Sequence, residues 1–264
     1  MQVGVWRSLV ARLLWEQEVG GSNPLAPTTT LPQIAPIYRR SGLVYTGCMT
    51  SQPLSERLSA GYRRFRAGRY NDERVRYDEL AREGQKPRTM IVACSDSRSA
   101  PETIFDAGPG ELFVLRNVAA LIPVYAPDAK SHGASAALEF AVHGLGVTSI
   151  VVMGHGRCGG VAAAIDSASP LTDSDFIGAW VADLVTLDQR TPAAAASRPE
   201  ERQKLIEHLS VQQSLEHLRT FPWIAERERA GSLTLHGAWF DISLGELHAL
   251  AGDEWLPQPY DQAG

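Results

Sequence analysis

Cysteine is scarce: the 264 residues hold only Cys48, Cys94 and Cys158. An odd, widely spaced set argues against a disulfide framework and favours metal or redox use in a reducing compartment. Long apolar runs are missing as well. None approaches the roughly 20 residues of a membrane span. The N-terminal run is broken by Arg12 and followed by Glu16 and Glu18, which makes a poor secretory signal. Basic charge is in deficit, with 25 Lys and Arg against 30 Asp and Glu, a net charge of −5. That balance gives no general attraction to nucleic acid or anionic membrane. The expectation is a cytoplasmic protein with no nucleic-acid or membrane partner. At 44% apolar and 21% charged residues, the chain is otherwise ordinary for a globular domain with a substantial core.

Residues 1–48 differ from the rest of the chain. They carry Gly21-Ser-Asn-Pro24, a threonine run and several prolines, and show no sustained periodicity. Gly-Ser-Asn-Pro is what the T-arm consensus of a transfer-RNA gene encodes when translated. Residues 1–48 are therefore expected to be a disordered leader or a spurious upstream extension, with the natural start at Met49. The folded domain is expected over 49–252, and 253–264 as a short irregular tail. Cys48 falls in the leader and is expected to be an idle thiol.

From Leu54 to Glu83 the pattern is helical. Leu54, Leu58, Tyr62 and Phe65 recur at helical spacing, and Tyr77, Leu80 and Ala81 resume it after a Gly-Arg-Tyr-Asn break. Met90–Ala93 is a short run of apolar residues that suits an interior strand of a parallel sheet. It stops in Cys94-Ser-Asp96-Ser-Arg98, which places a thiol, a carboxylate and a guanidinium at the end of a strand, where open α/β sheets bind ligands. A second run, Ile150–Met153, ends in Gly-His155-Gly-Arg-Cys158-Gly-Gly. Its glycines let the backbone bring both side chains to one point. Two adjacent strand ends would gather Cys94, His155 and Cys158 around one cation, and Cys₂His is a known ligand set for catalytic zinc. Glu111–Arg116 reads as a strand and Ala134–Leu145 as an amphipathic helix. Further helices are expected from about Val161, over Asp175–Asp188 and over Arg202–Thr220. Ser232–His236 and Ala238–Ile242 read as closing strands, with a turn or bulge at Gly237. Alternation of strands and helices gives an α/β fold, a mostly parallel central sheet flanked by helices.

The stretches Cys94–Arg98, Pro109–Ala119 and Gly154–Gly160, at this separation, resemble the β-class carbonic anhydrases, and the resemblance covers roughly residues 54–250. It implies a zinc lyase, carbonate dehydratase, built as a homodimer or higher homo-oligomer. The implied reaction is the reversible hydration of carbon dioxide to bicarbonate and a proton by zinc-bound hydroxide. It implies one Zn²⁺ per chain, held by Cys94, His155 and Cys158. It implies an Asp96–Arg98 dyad in which the arginine holds the aspartate off the metal. Gln85 matches an amide that reaches into the neighbouring subunit's site. Phe113, Val118 and Phe140 match the apolar pocket, with Phe140 in place of a tyrosine found in some members. Ile91 and Ala93 stand where one subgroup has a tryptophan and a glycine, so the resting site is expected to be Cys₂His plus water.

On the residues' own chemistry, zinc makes a nucleophile from water near neutral pH. Asp96 would aim it, Arg98 would hold Asp96 ionised, and backbone N–H groups over 156–160, Gly159 among them, suit an anionic product. Two other readings compete with this one. The same scaffold can serve another heterocumulene, such as carbon disulfide or carbonyl sulfide. A non-catalytic zinc or thiol module would need no Asp96–Arg98 pair.

Overall fold

The computed structural model describes residues 54–166, 170–192 and 198–259, which belong to one compact unit starting at Leu54. The leader, Met49 and Cys48 lie outside them. In chain order the helices are α1 (Glu56–Ala67), α2 (Arg69–Asp72), α3 (Arg74–Glu83), α4 (Pro101–Ile104), α5 (Gly133–Glu139), α6 (Gly159–Ile165), α7 (Phe176–Gln189), α8 (Pro199–Arg219) and α9 (Pro222–Arg229). The strands are β1 (Thr89–Cys94), β2 (Leu112–Asn117), β3 (Ser149–His155), β4 (Thr234–Asp241), β5 (Glu246–Ala251) and β6 (Glu254–Pro257). Among the described residues no helix is long and apolar enough to cross a membrane.

One six-stranded sheet has the order β2-β1-β3-β4-β5-β6. The first four strands run parallel, and β5 and β6 add antiparallel at one edge. The central strands are buried on both faces, which is why they read as continuous apolar runs. Met90, Val92, Ile150 and Val152 point to a core shared with Val211, Leu215 and Leu218 of α8 and Leu138 and Val142 of the α5 region. Ile91, Ala93, Met153 and Ala238 point to the opposite face.

The structure departs from the sequence reading in four places. The helix expected over 134–145 is α-helical only to Glu139, then widens into a π-helix over Phe140–Leu145. The wider turn keeps Leu138, Ala141 and Val142 buried while Phe140 stays on the surface. Beyond the helix expected to end at Thr220 the structure adds one that was not expected, α9, starting at Pro222, because proline is at home in a first turn. Gly237 makes neither turn nor bulge: β4 runs straight through it. A Cβ there would stand 3.1 Å from both Val211 and Leu250, so glycine lets helix and sheet close up. The tail expected to be irregular holds β6, so the sheet continues past Gly252.

Candidate metal centre

Parallel pairing sets the site. Cys94 ends β1 opposite Asn117 of β2, and Ala93 pairs with Met153, two residues before His155 ends β3. Cys158 follows one short turn later, immediately before α6. The ligand atoms of Cys94, His155 and Cys158 all lie within 4.8 Å of one another, and the two Sγ atoms are 3.9 Å apart. A tetrahedral zinc with Zn–S bonds of about 2.3 Å sets its sulfurs roughly 3.8 Å apart, so the spacing fits. His155 Nδ1 donates to the Gly156 carbonyl at 2.9 Å, which leaves Nε2 as the bare lone pair. That Nε2 is buried and has no hydrogen-bond partner among the described residues, a cost that a metal would remove. Apolar Ala119, Leu121, Val161, Ala164, Val181, Leu184 and Ile206 surround the two cysteines.

The thiols are electrostatically coupled. Hydrogen bonding from Cys158 brings Cys94 down to about 4, against the opposing cost of burial. Cys158 is pushed up in turn by the same contact and by burial. The pair thus holds one proton between two sulfurs, which a cation would displace. Burial alone would lower His155, but Cys94 and the Gly156 carbonyl outweigh it and raise the imidazole.

Asp96 and Arg98 form a forked ion pair beside this group. Arg98 Nε donates to Asp96 Oδ1 at 3.0 Å and Nη2 donates to Oδ2 at 2.7 Å. The Arg98 backbone N–H adds a bond to Oδ1 at 2.9 Å. These bonds, the guanidinium's first, hold the Asp96 carboxyl well below the usual carboxylate range. Asp96 Oδ2 stands 4.0 Å from His155 Nε2. Arg116, unremarked in the sequence, fixes the turn by donating to the carbonyls of Cys94 at 2.9 Å and Asp96 at 2.5 Å.

The other candidate residues divide into two groups. Val118 and Gly159 are at the site. A Cβ on neighbouring Gly160 would come within 2.6 Å of Val118 Cγ1, so the loops after β2 and β3 touch. Ala119, held with Ala120 in the left-handed region, aims its N–H at Cys94 Sγ, 3.4 Å away. The Asn117 side chain staples that turn through Leu121 N–H and C=O, both at 2.9 Å. Gln85, Phe113 and Phe140 are not brought to the metal group within one chain. Phe113 pairs with Met90, four residues back along the sheet, which is about 13 Å from the ligand end. Phe140 packs on Phe113 with ring centroids 5.8 Å apart, and Gln85 precedes β1 at its far end.

A buried carboxylate also escaped the sequence reading. Glu207 on α8 accepts from the Cys158 backbone N–H at 2.9 Å and from the Trp239 indole at 3.2 Å. Burial raises this carboxyl, and those donors partly offset the rise. The available signal was position. Glu207 lies on the same stripe of α8 as Ser210, Val211, Ser214 and Leu218, where a charged residue needs partners. A cavity of about 600 Å³ lies behind the loop, lined by Gly156, Arg157, Lys204, Glu207, Trp239 and Asp241 among others. None of the three metal-ligand candidates lines it.

The carbonic anhydrase family model matches residues 89–247. A carbonic anhydrase of Pseudomonas aeruginosa is 37% identical over 193 residues, covering 73% of this chain and 86% of that protein. The chloroplastic beta carbonic anhydrase 5 of Arabidopsis thaliana is 36% identical over 179 residues, covering 67% of this chain. The matched part spans 58% of that plant protein's length. Among solved structures, the β-carbonic anhydrase CcaA superposes with a TM-score of 0.71 at 29% identity, covering 76% of this chain and 98% of that one. A tetrameric β-carbonic anhydrase of Sordaria macrospora superposes with a TM-score of 0.65 at 29% identity, covering 74% and 95%. Sequence, fold and strand-end geometry agree, and the chain belongs to the carbonic anhydrase family, in its β class.

Proposed function

We propose that this chain catalyses the reversible hydration of carbon dioxide, with one zinc ion held by Cys94, His155 and Cys158. The observation that carries the reading is the buried His155 Nε2, without a hydrogen-bond partner among the described residues, facing two thiols with an ionised carboxylate 4.0 Å away. Bound there, zinc supplies an acidified water as nucleophile near neutral pH. Asp96, whose Oδ2 stands 4.0 Å from His155 Nε2, would accept a hydrogen bond from a water held there and so orient it. Arg98 keeps Asp96 ionised and fixed by its planar fork. Val118, partly exposed beside the metal group, with buried Leu121 and Val161 packed around the cysteines, would suit a nonpolar substrate. A requirement for two thiolates 3.9 Å apart points to a reducing compartment, and we assign the cytoplasm. Purified protein is expected to hold about one zinc per chain and to accelerate carbon dioxide hydration in a stopped-flow pH-indicator assay. Zinc-loaded, folded protein that leaves the reaction at its spontaneous rate would sink this function.

We also assign a homo-oligomer. Helices α1, α2 and α3 bury no residue, and Leu54, Leu58 and Tyr62 in that region are exposed. Phe140 is 54% exposed beside Phe113, far from its own chain's metal group. A second copy gives both features a place, with Gln85, Phe113 and Phe140 closing the partner's substrate pocket. Sedimentation at micromolar concentration is expected to give a dimer or a multiple of it. A monomer retaining full activity would overturn this assignment.

A further inference from the structure

The metal loop between β3 and α6 is gripped from α8. Glu207, 2% exposed, accepts the Cys158 backbone N–H at 2.9 Å on Oε1. Gln203, one helical turn earlier, donates through Nε2 to the Cys158 carbonyl at 3.1 Å and to the same Oε1 at 3.0 Å. Both backbone groups of one cysteine are therefore held by two side chains of a single helix. Glu207 Oε2 takes the Trp239 indole N–H at 3.2 Å. Trp239 packs in turn against Gly156, where a Cβ would stand 3.1 Å from its ring. The gripped loop is under strain: Arg157, immediately before Cys158, has φ of 55°, a conformation costly for any residue but glycine.

We propose that Glu207 and Gln203 form a positioning clamp that sets where Cys158 Sγ stands relative to Cys94 and His155. The clamp acts through the Cys158 backbone and touches neither substrate nor metal. It rests on the metal reading above. Three donors converge on two carboxylate oxygens, so an acid is required at position 207. An amide of the same shape would turn its own N–H₂ toward one of those donors. The Ala162 N–H also bonds the Cys158 carbonyl, at 3.0 Å, but the Cys158 N–H has no partner except Glu207 among the described residues, so without Glu207 the strained loop can relax away from the shared ligand point. Orienting partners of this kind are worth about 10- to 100-fold in metal affinity.

The test compares zinc-loaded full-length wild type, Glu207→Gln, Gln203→Leu and Asp188→Asn. Asp188 binds Arg202 of the same helix, with Nε to Oδ1 at 2.8 Å, and touches no metal-loop residue, so it controls for loss of stability alone. Zinc transfer to a chromophoric chelator is followed over time, and the cobalt-substituted proteins are compared by their thiolate-to-metal absorption. Glu207→Gln is expected to release zinc about 10- to 100-fold faster and to change the cobalt spectrum, Gln203→Leu to do both less strongly, and Asp188→Asn to do neither. Wild-type release rates and spectra in Glu207→Gln would overturn the clamp, as would equal acceleration by Asp188→Asn. Should Glu207→Gln fail to fold, Gln203→Leu decides, and wild-type behaviour there overturns the proposal. Wild type that takes up neither zinc nor cobalt overturns the metal reading itself, and the clamp with it.

Discussion

Cys158→Ala is expected to abolish carbon dioxide hydration by emptying the metal site rather than by unfolding the chain. The substitution removes one buried sulfur, which costs roughly 1 kcal/mol on the scale of single-group core deletions. The backbone N–H of residue 158 can still reach Glu207, so the loop keeps its anchor. The loss falls on the cation. A structural four-ligand zinc site is worth roughly 10–16 kcal/mol, or about 3 per ligand, so one missing thiolate weakens zinc by roughly 10²- to 10³-fold. The remaining pair, Cys94 and His155, no longer surrounds a point. After dialysis, metal analysis is expected to show far less than one zinc per chain, with activity falling in proportion and circular dichroism unchanged. Retention of both zinc and activity would mean that Cys158 is not a ligand. His155→Ala is expected to behave alike, since its Nε2 finds no hydrogen-bond partner among the described residues while the two sulfurs have each other.

The metal group was legible because its residues are written in local motifs. Cys94 and His155 each come after a run of apolar residues, and such runs announce strands buried on both faces. What a linear reading could not supply was the partner of each motif across the fold. Glu207 stands 49 residues from the cysteine it holds, on a helix most of whose other charges face solvent. Arg116 looked like the end of a strand, and only the pairing of β1 with β2 shows that it ties the Cys94–Asp96 turn. The closing strands were blurred for another reason. β5 and β6 are short and half-exposed, β6 at the sheet edge, and neither shows a clean alternation, so their pattern is weak. Gly237 reads as punctuation in sequence, yet it is a contact point between α8 and the sheet. The π-helical turn after Glu139 likewise leaves no local signal, because its apolar spacing still fits an ordinary helix.

Asp96→Asn separates chemistry from metal binding. Asp96 is not among the three groups whose ligand atoms converge, so zinc content is expected to stay near one per chain. The fold is expected to hold as well. Asn caps the Ser97–Ser99 turn as readily as Asp, accepting the Arg98 N–H now bound at 2.9 Å. The Asp96–Arg98 pair is half-exposed on the arginine side, where ion pairs add little to stability. What the amide cannot do is present acceptors at both positions. It turns an N–H₂ either to Arg98 or to the nucleophilic water, and the second choice misdirects the lone pair. Misorientation of that order costs about 10²-fold in kcat. The pH profile gives a second reading. Arg98 holds the wild-type carboxyl well below the usual range, so Asp96 stays ionised from about pH 5 upward and contributes no limb of its own there. The substitution is therefore expected to lower the plateau without deleting a titration step. Stopped-flow rates between about pH 6 and 9 on zinc-matched samples check both points. Undiminished kcat would remove Asp96 from the reaction and leave the metal assignment standing, whereas loss of zinc would make Asp96 a support of the ligands instead of an aid to the nucleophile.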